Sequence, residues 1–229
     1  WLNAQTADLL TPRDVAKIQY VSSAKISPDG NWIAFTKVVP RDPFKGTDGP
    51  AHVELHVTDP TGNVRPYVTG KVSISQIQWT PDGSSIAYVA RRGEDKNASL
   101  YVLPLAGGES RKLIEFDASM HHVKFVADGK RFVFLATPPR SKTETEWRDK
   151  GFNQEIYEED WRPTRVWLAA VDGHSKPKAL DLTGSAYDVV WSPDGKRLAV
   201  VLAPRALVDD SYMFKRIQIV DADTGKVLE

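Results

Sequence analysis

The segment 137–164 has the composition best suited to binding chemistry. It interleaves carboxylates, cations and aromatic rings, and its second half contains Glu155-Ile156-Tyr157-Glu158-Glu159-Asp160-Trp161. Carboxylates beside aromatic rings can hold a cationic group, such as the free amino terminus of a peptide, through charge-assisted hydrogen bonds and cation–π contacts. Glutamates placed before arginine and lysine also suit a solvated helical flap that binds nothing. The composition allows both interpretations.

No residue pattern in the chain supplies a catalytic nucleophile. A serine hydrolase of the α/β type needs Gly-x-Ser-x-Gly at a sharp strand-to-helix turn, and the nearest stretch, Gly83-Ser84-Ser85-Ile86-Ala87, leads into a strand instead. The chain has no cysteine, which excludes thiolate chemistry and cysteine-bound metals. Gly107-Gly108 lacks the lysine and the helix that a phosphate-binding loop needs. We therefore expect no catalytic residue and no cofactor.

The five histidines are the remaining candidates for metal binding. His52 and His56 have a spacing that binds zinc on a helix, but they enter a strand, where four residues span about 13 Å. His121 and His122 are adjacent, so a regular strand would point their side chains to opposite faces. The sequence predicts no metal site.

A turn that recurs four times organises the chain. Proline presets φ in this turn, aspartate bonds backbone amides and glycine takes a positive φ. Apolar residues alternate before and after each turn, which predicts paired antiparallel strands, and a third and a short fourth strand follow. Such units are typical of propeller blades, as in WD40-like repeats. The four copies read Ile26-Ser27-Pro28-Asp29-Gly30, Trp79-Thr80-Pro81-Asp82-Gly83, Phe125-Val126-Ala127-Asp128-Gly129 and Trp191-Ser192-Pro193-Asp194-Gly195.

The predicted fold is an all-β propeller of about four blades, each with four antiparallel strands, and we expect residues 1–229 to form a single propeller portion. The alternative architecture is a β-sandwich, but a sandwich does not explain why the aromatic and turn residues recur in register. The blade-like repeats are placed at about 11–68, 69–114, 115–180 and 181–229.

Unequal spacing between the turns reveals three insertions, each between the second and third strands of its repeat. Alternate connections of an up-and-down blade emerge on opposite faces, so we expect the turns on one face and the insertions on the other. Insertions that share a face usually mark the binding surface. The insertions lie at about 40–51, 137–164 and 204–214.

Charge and hydropathy limit the classes of partner and the cellular locations that fit this chain. Thirty lysines and arginines balance thirty aspartates and glutamates, so no broad field favours nucleic acid or an anionic membrane. The longest apolar runs, such as 198–203, are too short to predict a membrane span. The chain opens at Trp1 rather than methionine, which predicts a processed or trimmed product and permits a lost secretory signal. Periplasmic or secreted and cytoplasmic locations both fit, and the periplasm is favoured.

The fourth repeat stops at Glu229, before a fourth strand. An open arc of blades would leave strand edges unpaired and prone to association. We therefore expect further blades, or a partner chain that completes the ring, which leaves room for a homo-oligomer.

With these residues in view, the chain resembles the N-terminal propeller of the prolyl oligopeptidase family of serine peptidases, in its dipeptidyl-peptidase and acylaminoacyl-peptidase branches. The resemblance implies a ring of seven or eight blades that restricts, by size, the access of short peptides to a C-terminal α/β-hydrolase domain, which is absent from this chain. Besides the repeated turn, it rests on Leu10-Thr11-Pro12-Arg13-Asp14-Val15, on Ser27-Pro28-Asp29-Gly30-Asn31-Trp32-Ile33-Ala34-Phe35, and on Tyr157-Glu158-Glu159-Asp160-Trp161 followed by Arg165-Val166-Trp167-Leu168.

In the dipeptidyl branch, the resemblance implies a pair of glutamates that grips the amino terminus of the substrate. The matching positions are Glu158 and Glu159, with Glu155 as a further member. The alternative function is a non-enzymatic Tol-type propeller that binds a protein partner across its insertion face. A carbohydrate-active propeller should carry paired acids at the ends of its inner strands, whereas we expect those positions to be apolar.

Overall fold

The computed structural model describes residues 10–154, 156, 158–159 and 161–229. Strands β1 to β4 form the first sheet, β5 to β8 the second, β9 to β12 the third and β13 to β15 the fourth. The strands are β1 (Tyr20–Ile26), β2 (Ile33–Val39), β3 (His52–Thr58), β4 (Val64–Val68), β5 (Ile74–Trp79), β6 (Ser85–Ala90), β7 (Ser99–Pro104), β8 (Arg111–Lys112), β9 (His121–Phe125), β10 (Arg131–Ala136), β11 (Arg165–Ala170), β12 (Lys178–Ala179), β13 (Ser185–Trp191), β14 (Arg197–Ala203) and β15 (Arg216–Asp221).

Within every sheet, consecutive strands pair in antiparallel fashion, so each sheet is an up-and-down meander. The first strand of each sheet contacts the first strand of the next, in the order β1, β5, β9 and β13. Sheets repeated side by side about their first strands are propeller blades. The predicted all-β propeller is confirmed, with three sheets of four strands and a last sheet of three.

The hydrophobic core lies in three layers, each between two consecutive sheets. Alternation along the strands sends one set of side chains into each layer. For example, Leu55 and Ile77 meet between the first two sheets, whereas Phe132 packs between the second and third. Each sheet therefore depends on its neighbours for burial.

The tryptophan before a turn fastens its sheet to the preceding one. Trp79 Nε1 donates a hydrogen bond to the carbonyl oxygen of Lys25 at 2.8 Å. Trp191 Nε1 donates to the carbonyl oxygen of Lys124 at 2.9 Å, the same position one sheet before. A buried tryptophan needs such an acceptor for its N–H, so the repeat places both partners.

Between the second and third sheets the link is different, because Phe125 stands where the other copies have tryptophan and offers no N–H. There the Gln76 amide reaches across from β5. It donates to Val123 O at 2.6 Å and accepts from Val123 N at 3.1 Å. A side-chain amide thus supplies the polar contact between these two sheets.

The repeated turn closes through its aspartate. In the first copy, Asp29 Oδ1 accepts hydrogen bonds from Ser27 Oγ at 2.5 Å and from Asn31 N at 3.1 Å. The hydrogen bond from Ser27, followed by those from Asn31, holds the pKa of Asp29 below its ordinary value. The same pattern recurs around Asp82 and Asp194.

The turns lie next to one another along one edge of the arc. A Cβ built on Gly83 would lie 3.5 Å from Pro28 of the preceding turn, and one on Gly195 would lie 2.7 Å from Cγ1 of Val126. We call this edge, formed by 27–32, 80–84, 126–130 and 192–196, the turn rim.

The opposite edge carries the long connections between second and third strands. Segment 40–51 joins β2 to β3, 137–164 joins β10 to β11, and 204–215 joins β14 to β15; together they form the insertion rim. Among the described residues, α2 (Lys142–Asp149) and α3 (Val208–Met213) lie in these segments, and α1 (Pro12–Val15) precedes β1. The boundaries of the four repeats stay a prediction.

Candidate functional site

Helix α2 is the most regular part of the insertion rim. Its N-cap is Ser141, whose hydroxyl accepts from Glu144 N at 3.1 Å, while the Glu144 carboxylate accepts from Ser141 N at 2.8 Å. This capping box satisfies two backbone donors that the first turn leaves unpaired. None of the eight residues of α2 is buried. The helix therefore stands on the surface rather than in the core.

A cavity of about 570 Å³ opens beside α2. Trp147, Phe152 and Ile156 supply its apolar wall, and all three are exposed. Arg140 lines the same cavity. Such a mixture of aromatic and arginine side chains is typical of surfaces that bind other molecules.

Arginine charges concentrate at the base of this segment. Arg162 donates a hydrogen bond to Pro138 O at 2.7 Å, which ties the end of the insertion to its beginning. Burial, and then the neighbouring charge of Arg140, lower the pKa of Arg162, whereas Glu144 opposes that shift. The insertion is therefore not uniformly acidic, in agreement with the interleaved cations and carboxylates of its sequence.

Glu158 and Glu159 lie in an exposed turn of the same insertion. Glu158 has φ of 63°, which is uncommon for a residue other than glycine. The backbone N–H of Glu159 donates to Ile156 O at 3.1 Å and closes the turn. Glu155, the third predicted member, lies outside the described residues.

The third insertion contains an arginine whose charge interacts with that of Glu158. Arg205 binds both oxygens of the buried Asp210 carboxylate, through Nε and Nη2 at 2.9 Å each. This hydrogen-bonded pairing raises the pKa of Arg205, and the negative charge of Glu158 adds to the effect. Sequence reasoning did not single out Arg205. The only signal was its place in an insertion on the same face as 137–164.

The two adjacent histidines depart from the prediction. Their rings lie on the same side of β9, with centroids 5.3 Å apart, although a regular strand would separate them. The pairing of β9 with β10 shifts register between Val133 and Leu135, and His122 has φ of 50°. A β-bulge thus breaks the two-residue alternation on which the prediction rested.

The expectation of apolar inner strands also needs correction. Apolar residues of β5 and β9, such as Ile77 and Val123, pack between sheets as expected, whereas the apolar residues of β1 are exposed. The positions between them are polar, since side chains of a strand alternate between two faces. The polar residues include Ser23 and Lys25 in β1, Gln76 in β5, and Lys124 in β9.

Among the described residues, no group of three or more histidine, aspartate or glutamate side chains is placed to hold a metal ion. In the same part of the chain, no helix combines the length and the apolar character that a membrane crossing requires.

Comparison with known proteins adds one curated relative and several solved structures. The chain is 25% identical to the uncharacterized peptidase YuxL of Bacillus subtilis (strain 168), over 83% of this chain and 30% of that protein. The acylaminoacyl peptidase of Pyrococcus horikoshii has a TM-score of 0.68 at 14% identity, over 95% of this chain and 33% of that one. TolB of Acinetobacter baumannii has a TM-score of 0.59 at 19% identity, over 88% of this chain and 41% of that one.

No family model matches the chain. The two structural similarities show the β-propeller fold, and the chain spans less than half of each of the three proteins just named. Together with the peptidase relative, they confirm the resemblance to the N-terminal propeller of prolyl oligopeptidase-family peptidases.

Proposed function

We propose that this chain is the substrate-gating propeller portion of a serine peptidase that cleaves short peptides. The observation that carries the proposal is the insertion rim, where three long connections emerge together and Glu158 and Glu159 project into solvent. The peptidase relative and the acylaminoacyl peptidase fold support it. The serine nucleophile belongs to a further α/β-hydrolase domain, because the chain itself carries no Gly-x-Ser-x-Gly.

The exposed end faces of the arc support the presence of further blades. Ile217 is 70% exposed, whereas Leu55 and Val166, which hold the same position in their sheets, are 0% and 1% exposed. At the other end Ile26 is 68% exposed, while the matching Trp79 is 7% exposed. Burying such side chains stabilises a fold by about 1.5–3 kcal/mol each. We propose that additional sheets of the same repeat cover both faces.

In the proposed mechanism, Glu158 and Glu159 accept charge-assisted hydrogen bonds from the ammonium group of a peptide. Two carboxylates would fix the register of the peptide against the distant serine, since positioning converts binding energy into rate. Both side-chain donors of Arg205 that form hydrogen bonds are taken by the Asp210 carboxylate. We therefore expect Arg205 to leave Glu158 available to the ammonium group.

The test uses the full-length polypeptide with both Glu158→Gln and Glu159→Gln. We expect kcat/KM for a substrate with a free amino terminus to fall roughly a hundredfold, since each lost charged hydrogen bond costs about 1.5–3 kcal/mol and 1.4 kcal/mol is tenfold. Cleavage of the N-acetylated substrate should not change. Glu146→Gln, in α2 of the same insertion, is the matched control and should behave as the wild type.

The role of the two glutamates would be refuted if the double variant cleaved the substrate with a free amino terminus as efficiently as the wild type does, with the acetylated substrate cleaved equally by both proteins. The wider proposal is checked separately by labelling the native polypeptide with a serine-reactive fluorophosphonate. Labelling is expected on a serine outside residues 1–229. Complete absence of labelling would refute the peptidase proposal.

A second candidate, a protein-binding module of the Tol type, is favoured by the exposed apolar wall beside α2 and by the fold of TolB. Exposed aromatic side chains are common at the centres of protein interfaces. The fluorophosphonate experiment separates the two candidates, because a binding module has no reactive serine.

A further inference from the structure

A second cavity, of about 460 Å³, lies across the inner strands β1, β5 and β9, away from α2. Its volume is within the range of small-ligand sites, about 300–1,000 Å³. Most of its lining residues are of polar types, and they come from three different sheets. The residues that matter for its chemistry are Lys25, Ser75, Gln76, His121, His122 and Lys124.

Irregular strand pairing builds this lining. The bulge at His122 turns both histidine rings to one side of β9, where they meet edge to face. The pairing of β5 with β6 is also irregular, with a register shift between Ile74 and Gln76 around Ser75. These irregularities place more polar side chains in the cavity than alternation would allow.

The cavity has a positive electrostatic character. Lys25 reaches it from β1, and Lys124 from β9 beside the histidines. No carboxylate is among the described residues that line it. In the next inner strand, β13, the position that corresponds to His122 holds Asp188. The Asp188 carboxylate accepts a hydrogen bond from Val189 N at 2.8 Å.

Two features keep the site ordered and responsive to protons. Both ends of the Gln76 amide are held by the backbone of Val123, which fixes this part of the wall. His121 is half-buried, and this burial, followed by the charge of His122, lowers its pKa. An anion in the cavity would offset both effects by favouring the protonated ring.

We propose that this cavity binds a small oxyanion, the carboxylate or phosphate group of a ligand, through Lys25, Lys124 and the paired histidines. Ammonium and imidazolium groups donate charge-assisted hydrogen bonds to such oxygens. The site is independent of Glu158 and Glu159, and it selects the opposite charge.

Titration of the full-length polypeptide tests the proposal. The probes are acetyl-triglycine, its carboxamide and inorganic phosphate, and the ring signals of the histidines are followed by NMR. We expect the anionic probes to shift the signals of His121 and His122 and to leave His174, on a distant turn, unchanged. The carboxamide should shift neither. Tighter binding of acetyl-triglycine than of phosphate identifies a peptide carboxylate, and the reverse order identifies a phosphate ligand.

Affinity should also rise as the pH falls below about 6.5, because burial lowers the pKa of His121 and its protonation there adds a positive charge and a donor to the cavity. Lys124→Gln should weaken anion binding roughly tenfold, the cost of one charged hydrogen bond. Lys130→Gln, in the turn of the same hairpin, is the matched control. His122→Asn tests the imidazole separately from the backbone, because asparagine tolerates a positive φ and the variant keeps the backbone geometry.

Three results would overturn the proposal. One is that millimolar acetyl-triglycine and phosphate both leave the signals of His121 and His122 unmoved. The second is that Lys130→Gln weakens binding as much as Lys124→Gln does. The third is that sodium chloride at equal ionic strength produces the same shifts, which would indicate general screening.

Discussion

On the turn rim, each connection is a short bend closed by its own aspartate, whereas on the insertion rim the connections are long and carry exposed aromatic and charged side chains. The turns pack against their neighbours, as the close approach of Gly195 to Val126 demonstrates. Helix α2, on the opposite rim, buries no residue. The comparison teaches that neighbouring turns pack together on one rim, whereas the connections on the other rim leave aromatic and charged side chains exposed.

The largest effect should come from Gly195→Ala on the turn rim. Gly195 has φ of 68°, and the added Cβ would lie 2.7 Å from Cγ1 of the buried Val126. Left-handed geometry and overpacking together should lower the free energy of unfolding by about 3 kcal/mol. Urea denaturation of both proteins measures the loss.

Gly30→Ala is the matched control, because Gly30 has φ of 76° but no heavy atom lies within 4 Å of the added Cβ. It should cost only about 1 kcal/mol, from backbone geometry alone. Equal losses for the two variants would mean that the turns do not pack against one another.

Lowering the pH should have an intermediate effect on the stability of the fold. A hydrogen bond from Thr61 Oγ1 is the main cause that lowers the pKa of Asp59 to about 2, and one from Ser175 Oγ does the same for Asp172. Both folded-state values lie below the ordinary value of about 3.9. The stabilisation is therefore complete above about pH 4 and is lost as the pH falls towards 2. The thermal midpoint should drop across that window.

Asp172→Asn should flatten this pH dependence, because the amide has no proton to gain there. Asp149→Asn, at the exposed end of α2, is the control and should keep the slope of the wild type. A variant Asp172→Asn with the full wild-type slope would contradict the role of this turn.

The smallest effect should come from Trp147→Ala on the insertion rim. Trp147 is exposed and its helix has no buried residue, so the free energy of unfolding should change by less than about 0.5 kcal/mol. Chemical denaturation checks this value. A decrease in the free energy of unfolding by more than about 1 kcal/mol would show that α2 packs on the sheets. The two rims would then differ less in packing than the structure indicates.

Much of the fold was predictable because its signals are local. The turn chemistry resides in five consecutive residues, and the alternation on either side of Asp29 or Asp194 gives the strands directly. The composition of 137–164 indicated only a cation-binding segment or a solvated flap, and the choice of Glu158 and Glu159 within it came from the resemblance.

The sequence by itself determined the strands, the repeated turns and the order of the insertions, because each depends on neighbouring residues and on the two-residue period of a strand. Only the tertiary structure decided which distant residues meet. It placed the Trp79 indole on the backbone of Lys25, and the Gln76 amide on the backbone of Val123. It also placed His121 beside His122, because a bulge that depends on the pairing of two strands shifts the alternation, and the order of residues does not reveal where that happens.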